Sequence, residues 1–353
     1  RTTEFVRIYS DLIHFKDHGV TASGRFSLNL PPEKSERTWA LEVGIEDADL
    51  KDVRRYLPDT LSDNLSSWLK EAIIAGKVKR AGLLFHGPIG KEANAAYKLF
   101  ELHFDVADAT LAYHPIWPQV ERLNAGIYVG NWGVYSGDAR GSVLNNAFHD
   151  GVVNVAYGTL SPADTVLIEA AMVGGLADGL RLLTETPVSA AIGHIADDWH
   201  GEGALAGTLR LDIPIGGRQG EAVDADVVVD LNQDKLRMPA FDLDVAALSG
   251  RIRYQSVSGL SSPGFTAALF GKAVTGSIVS DVTEEGGTVA VAIEGEVDVS
   301  DLYAWSKQPV LTFADGVAAY RAAVHVPYGG VEHRPFVEVW TDLSGVATHL
   351  PPP

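Results

Sequence analysis

The chain has 353 residues, with 46 acidic and 28 basic side chains and a formal net charge of −18. No dense run of Lys and Arg is present to follow phosphates, which argues against nucleic acid as a partner. The absence of cysteine excludes disulfides and thiolate metal sites. No apolar run approaches the roughly 20 residues that span a bilayer, so no membrane-spanning segment is predicted. Because it begins with Arg1, we interpret the chain as an excised or mature segment.

Alternation of apolar and polar residues predicts half-solvated β-strands along most of the chain. In LAGTLRLDIPI, for example, Leu209, Leu211 and Ile213 fall on one face and Thr208, Arg210 and Asp212 on the other. The same pattern recurs at 39–45, 100–106, 223–231, 289–293 and 320–326. Parallel sheets that are buried on both faces would show continuous apolar runs, so antiparallel strands are predicted.

Two segments have helical spacing instead. Leu61, Leu65 and Trp68 begin an apolar stripe that predicts a helix over 61–75, within an amphipathic insertion at 59–76 that ends at Gly76. A second helix is predicted over 176–183. Two helices are too few for alternating βαβ units, so they are interpreted as insertions among strands. Whether the helix near Trp68 packs on the sheet or covers a groove as a lid stays open.

Two internal matches indicate repetition. The stretch DLKDVRRYLP (49–58) shares Asp, Leu, Val, Leu and Pro with DLSGVATHLP (342–351). The second match aligns Leu111, Val120, Leu123 and Ile127 with Leu236, Val245, Leu248 and Ile252, and Asp105 with Asp230. The offsets of the two matches differ, so they predict a recurring strand-and-turn unit without a fixed period. Approximate sub-units are 1–98, 99–203 and 204–353.

One polar cluster contains residue types that can ligate zinc. The stretch GHIADDWHGE contains His194, Asp197, Asp198, His200 and Glu202. Its spacing matches no helical His pair, so a solvated turn is predicted, as it is for the smaller group His14, Asp17 and His18. The chain has no Gly-x-Ser-x-Gly elbow, no thiol and no phosphate-binding loop. We therefore predict no catalytic residue, metal or cofactor.

Four stretches together resemble a central segment of the YhdP-type proteins in the AsmA-like superfamily. They are YLPDTLSDNLSSWLKEAIIAGKVKRAGLLFHG, LRLDIPI, LSGRIRY and LSGVATHLP. The similarity runs along most of the chain and is densest over 49–87 and 204–270. It implies a periplasmic protein of Gram-negative bacteria that is anchored in the inner membrane and reaches toward the outer membrane. It also implies a non-enzymatic bridge for phospholipids, with an anchor that lies outside this chain and an unknown outer-membrane partner.

The residues and the resemblance lead to one expectation for the fold. We expect a mostly β chain in which residues 1–353 are a fragment of an elongated, curved antiparallel sheet. A few helices are inserted, and the sheet forms an apolar groove of the repeating β-groove type. Acyl chains suit such a groove because burial of each methylene contributes about 0.8 kcal/mol without a polar partner.

The residues predicted to line the groove are Phe100, Leu102, Phe104, Leu209, Leu211, Ile213, Val227, Val229, Val291 and Ile293. An ordinary β-sandwich or barrel core would show the same alternation. Two other functions therefore stay open. One is a carbohydrate-active or other hydrolytic β-protein, and the other is a structural β-repeat protein without a ligand.

Overall fold

The computed structural model describes residues 5–53, 55, 67, 70–89, 97–156, 165–186, 189, 194, 196–215, 220–283, 286–329 and 335–349. Among these residues, twenty strands belong to one sheet, and three α-helices with both ends defined lie between strands. The paired strands whose register is resolved are antiparallel, so the prediction of a mostly β antiparallel fold with few helices is confirmed. Contacts divide the chain into a first unit, Arg1–Ala170 with Leu211–Val223, and a second unit, Ala171–Arg210 with Asp224–Pro353.

The strands follow one another in a simple order, and from β3 to β9 and from β13 to β18 each pairs with the next. They are β1 (Val6–Tyr9), β2 (Ile13–Asp17), β3 (Val20–Leu30), β4 (Thr38–Asp49), β5 (Ile73–Pro88), β6 (Leu99–Leu111), β7 (Val120–Gly130), β8 (Gly133–Val143), β9 (Asn146–Ala156), β10 (Thr165–Gly175), β11 (His200–Glu202), β12 (Ala204–Pro214), β13 (Asp224–Met238), β14 (Leu243–Gln255), β15 (Gly259–Leu269), β16 (Lys272–Thr283), β17 (Gly286–Asp298), β18 (Ala314–Gly329), β19 (Phe336–Trp340) and β20 (Val346–Thr348).

The helices occupy the ends of particular strands. They are α1 (Leu50–Val53) after β4, α2 (Leu176–Thr184) after β10 and α3 (Val299–Ser306) after β17, with 3₁₀ turns at Lys34–Glu36, Pro239–Phe241 and Pro309–Phe313. The predicted helix at 176–183 is confirmed as α2. No helix in the described part of the chain is long and apolar enough to cross a membrane.

The helix predicted over 61–75 lies largely outside the described residues. Residues 70–72 are helical, but β5 already begins at Ile73, so the predicted end at Gly76 is wrong. Adjacent Ile73 and Ile74 favour a strand because β-branched side chains suit the pleated sheet. Gly76 has φ +125°, and a Cβ there would lie 2.5 Å from Cα of Ala109. This glycine permits a close approach between strands.

The hairpins β6–β7 and β13–β14 have the same register, which confirms the repeated unit predicted from Leu111 and Leu236. The equivalent pairs are Leu111–Val120 and Leu236–Val245, Ala109–Leu123 and Asp234–Leu248, and Phe104–Ile127 and Val229–Ile252. Positive φ values also recur at Asp108 and Gln233, and at Arg122 and Ala247. The bulged geometry is thus repeated even where the residue types differ.

The other internal match does not form equivalent elements. Asp49 ends β4 and Leu50 starts α1, whereas Asp342 and Leu343 precede a turn into β20. In that turn the Asp342 side chain accepts a hydrogen bond from the Ser344 amide at 2.8 Å. The shared letters of DLKDV and DLSGV therefore do not mark a structural repeat. The sub-units 1–98, 99–203 and 204–353 stay a prediction.

Candidate functional site

Strand register aligns the apolar residues of the first unit on one face of the sheet. Leu102 lies between Leu83 and Val129, and Phe104 lies between Ala81 and Ile127. One cross-strand row over β4 to β9 consists of Val43, Leu83, Leu102, Val129, Val134 and Val155. All six side chains are half-buried. We call this surface the apolar face.

The opposite face of the same strands is polar. Arg25 Nε donates to Glu42 at 2.6 Å, and Arg80 Nη2 donates to Asp105 at 2.8 Å. The His103 ring stacks on Tyr128 with a centroid distance of 4.4 Å. Cross-strand ion pairs of this kind stabilise a solvated sheet surface modestly. The two faces of the first unit therefore have different chemistry.

The second unit shows the same division. Val291 lies between Ile278 and Val324, and Val337 of β19 extends that apolar row. Ile293 aligns with Ala322 in the neighbouring row. We use the term apolar face for the surface formed by these rows in the second unit as well.

Two predicted lining residues lie in hairpin β13–β14. Val229 pairs with Ile252, and Val227 pairs with Tyr254. On the opposite face Arg251 Nε donates to Asp230 at 2.7 Å. Hydrogen bonds from Arg251 and Arg253 lower the pKa values of Asp230 and Asp226, respectively. The charged pairs thus occupy the face that Val227 and Val229 do not.

Strand β12 contributes three of the predicted lining residues. Leu209, Leu211 and Ile213 are half-buried. Thr208 and Arg210 are exposed, as the alternation predicts. Asp212 is half-buried, although the sequence pattern placed it on the solvated face. Like the other seven predicted lining residues, the three leucine and isoleucine side chains are neither fully buried nor fully exposed.

In each unit, helices cover one edge of the apolar face, and we call it the helix edge of that unit. In the first unit, Leu50 of α1 packs with Val78, Val106 and Ala109. In the second unit, Leu176 and Leu180 of α2 pack with Leu231, Val229 and Ile252 of the repeated hairpin. Burial of these leucines removes this edge of the apolar face from water.

In each unit the opposite edge of the apolar face is much more exposed. We call it the aromatic edge, after Trp39 and Phe85 in the first unit. Along β4 the exposed fraction rises from 1% at Ala48 near the helix edge to 37% at Trp39. Along β16 it rises from 4% at Val274 to 37% at Val282. The Trp39 ring lies 4.9 Å from Phe85, centroid to centroid. The apolar face is therefore open toward the aromatic edge in each unit.

The predicted polar cluster forms a hydrogen-bonded turn. Ser189 Oγ lies 2.8 Å from His194 Nδ1 and donates to Asp197 Oδ1 at 2.7 Å, and the same Nδ1 lies 3.0 Å from Asp197 Oδ2. The Ser189 hydrogen bond lowers the pKa of Asp197. A catalytic triad instead requires the hydroxyl and the carboxylate on different ring nitrogens. This geometry locks a turn and does not activate the hydroxyl.

The other three members of the cluster, Asp198, His200 and Glu202, make contacts outside this turn. Asp198 accepts a hydrogen bond from the Ala240 amide at 2.9 Å, and His200 lies opposite Arg237 in β11–β13. Glu202 lies 3.2 Å from the Lys235 ammonium. Within the described residues, no group of three His, Cys, Asp or Glu side chains is placed to hold a metal ion.

Several residues of the apolar face were missed in the sequence. Leu83 and Phe85 are separated by the apolar Leu84, so their alternation is hidden in GLLFHG. Val134 lies in the glycine-rich β8, where the pattern is weak. Strand β5 pairs in register with the alternating strands β4 and β6. Strand β8 pairs in register with the alternating strand β7. Pairing therefore carries information that single-strand patterns lack.

Comparison with known proteins identifies the family to which the chain belongs. The family model described as YhdP protein matches residues 2–353. A curated relative, the intermembrane phospholipid transporter YhdP of Escherichia coli strain K12, is 28% identical over 362 aligned residues, which cover 97% of this chain and 26% of that protein. The chain thus spans about a quarter of this relative, and no solved structure matches it. Since the family model covers nearly the whole chain, the chain belongs to the YhdP protein family.

Proposed function

We propose that this chain is a non-enzymatic segment of a lipid conduit, in which phospholipid acyl chains lie on the apolar face. The row from Val43 to Val155 carries the proposal. It consists only of valine and leucine over six strands, and every member is half-buried. Acyl chains gain about 0.8 kcal/mol for each buried methylene and need no polar partner, so they can slide along such a row.

The proposed lining includes all ten residues predicted from the sequence: Phe100, Leu102, Phe104, Leu209, Leu211, Ile213, Val227, Val229, Val291 and Ile293. A row that crosses the strands supports transport in the cross-strand direction.

The proposal also includes the location of the protein in the cell. The similarity to an intermembrane phospholipid transporter supports a position between two membranes. We propose a periplasmic location, an inner-membrane anchor that lies outside this chain, and a partner at the outer membrane.

The two alternatives are less well supported by the observed geometry. A ligand-free β-repeat would bury its interior, whereas Leu102 and its neighbours in the row stay half-exposed. A hydrolase would need an activated group, whereas Ser189 and Asp197 share one nitrogen of His194.

Paired substitutions in the full-length protein test the proposal in cells that depend on it. Leu102→Asp places a carboxylate on the apolar face, where burial without a partner costs several kcal/mol. It should abolish phospholipid transport, while His194→Ala, Asp198→Ala and His200→Ala should leave transport unchanged at equal protein abundance. Full transport with Leu102→Asp would show that acyl chains do not pass along the apolar face. Loss of transport with the alanine variants alone would favour a catalytic role for the polar cluster.

A further inference from the structure

The helix edge is closed by specific contacts in the second unit. The Trp305 indole of α3 donates a hydrogen bond to the Phe241 carbonyl at 2.8 Å, and its ring lies 5.8 Å from that of Phe270. These contacts join α3 to the β13–β14 connection and the β15–β16 turn. Since α2 also packs on these strands, the helix edge of the second unit offers little room for the polar part of a lipid. In the first unit, Leu50 of α1 packs at the helix edge.

The aromatic edge of the first unit combines a tryptophan with a lysine. Trp39 lies opposite Gly87, and a Cβ at Gly87 would lie 3.1 Å from Lys98 Cγ. The Lys98 stem therefore lies over the glycine, beside the apolar row that contains Phe85. The Asn131 amide donates to the Lys98 carbonyl, which holds the lysine backbone against the β7–β8 turn.

This arrangement places the apolar stem of Lys98 at the end of the apolar face, from which its ammonium group can reach water. Lysine side chains with this placement cover apolar surface while their charge stays in water. Tryptophan is enriched where hydrocarbon meets a polar layer, for the same reason of mixed polarity. Together these residues match the boundary between acyl chains and an anionic phosphate.

The lysines near the helix edge are placed differently. Lys77 and Lys79 flank Val78 in β5, so they project to the face opposite that buried valine. Lys77 lies opposite Asp49 in register, and the Lys79 ammonium lies 3.5 Å from Asp47. The ammonium groups of these two lysines therefore lie on the polar face.

We propose that phospholipids bind the first unit with one orientation. Their acyl chains lie on the apolar face, and their phosphate lies at the aromatic edge beside Lys98 and Trp39. This inference rests on the proposed function and adds the direction in which the headgroup points.

Two photoreactive phosphatidylethanolamines test the orientation in the full-length protein. One carries a diazirine on its headgroup and the other carries it at the end of an acyl chain, and mass spectrometry locates the labelled peptides. The headgroup probe should label peptides with Trp39 and Lys98, and the acyl probe should label those with Leu102 and Val129. The headgroup probe should favour the aromatic edge over the 47–52 and 108–122 segments by about tenfold, the ratio that corresponds to 1.4 kcal/mol.

Charge variants give an independent readout. Lys98→Glu should reduce headgroup-probe labelling of the aromatic edge by about fivefold, since it replaces attraction to phosphate with repulsion. Lys98→Arg should retain the labelling, and Lys77→Glu, the control near the helix edge, should leave it unchanged. Acyl-probe labelling at Leu102 should be the same in all variants, which also reports that the sheet is folded.

The outcomes separate the orientation from the function. If the acyl probe labels the apolar face but the headgroup probe labels both edges equally, or the helix edge more, the proposed orientation is wrong and lipid binding stands. The orientation is also wrong if Lys98→Glu and Lys77→Glu have equal effects. If the acyl probe leaves the apolar face unlabelled, the lipid-binding function fails, and the orientation fails with it.

Discussion

Leu83 and Leu84 are neighbours in β5 but face opposite environments. Leu83 lies between Val43 and Leu102 on the apolar face, whereas Leu84 lies between Glu42 and Glu101 on the polar face. Both side chains are half-buried. The same residue type at adjacent positions therefore provides a matched test of what each face does.

Leu83→Gln should reduce lipid transport by about tenfold, and Leu84→Gln should have little effect. Burial of an amide without a partner costs about 1–3 kcal/mol on the apolar face, whereas an amide beside Glu42 and Glu101 can hydrogen-bond. The measurement is the transfer of fluorescent phospholipid by full-length protein at matched abundance. Equal losses for both variants would mean that the two faces of β5 do not differ in function.

Strand β12 provides a second pair of substitutions, each of which introduces a carboxylate. Leu211→Asp places a carboxylate on a half-buried position and should interrupt transport, because lipid must pass every position of a continuous conduit. Arg210→Asp alters an exposed neighbour, whose charge acts on Asp226, and should matter little. Outer-membrane integrity in dependent cells is the readout, with periplasmic abundance as the control. A functional, abundant Leu211→Asp protein would show that this strand does not face the lipid.

Gly203 should be intolerant of any side chain. Its φ is +128°, and a Cβ would lie 1.8 Å from Asp234 Oδ1, on a side chain that is fully buried. Gly203→Ala should reduce the free energy of unfolding by about 3 kcal/mol or more, since strain and overlap add. Gly82→Ala, where no atom lies within 4 Å, is the control and should change it by less than about 1 kcal/mol. Urea unfolding of both variants measures the difference, and a Gly203→Ala protein as stable as the control would refute this packing.

The ion pair of Asp230 and Arg251 should make a small acid-sensitive contribution to stability. The Arg251 hydrogen bond lowers the folded-state pKa of Asp230, so the contribution is complete above the unfolded pKa of about 4. It is lost as the pH falls through the lowered folded-state value. The pair is half-exposed, so at most about 1 kcal/mol is expected. Asp230→Asn and Arg251→Gln should each flatten the dependence of unfolding free energy on pH below about 4. An unchanged pH dependence in both variants would show that the pair contributes nothing.

Alternation predicted the faces of the strands because each strand is apolar on one side only. Phe100, Leu102 and Phe104 keep this period through the middle of β6. The pattern then fails where the backbone bulges. Val106 and Ala109 belong to one buried cluster although they are three residues apart, since Asp108 has φ 49° and the register shifts between them. Counting by twos assigns Ala109 to the wrong face.

The difference between the two edges of the apolar face was not predictable from strand patterns. It depends on Leu50, Leu176 and Leu180, which are brought onto the sheet by short helices after β4 and β10. Leu50 lies in a four-residue helix, too short for a helical period to be read from the sequence. The amphipathic spacing of α2 did predict a helix, but its contact with Leu231 requires knowledge of the strand register.

Native mass spectrometry of the full-length protein, purified from cells in mild detergent, tests the central claim most directly. We predict that phospholipid masses remain bound to the unmodified protein and that Leu83→Gln lowers the bound amount, whereas Leu84→Gln does not. Unmodified protein without bound phospholipid, or equal occupancy in all three proteins, would contradict the claim that the apolar face holds acyl chains.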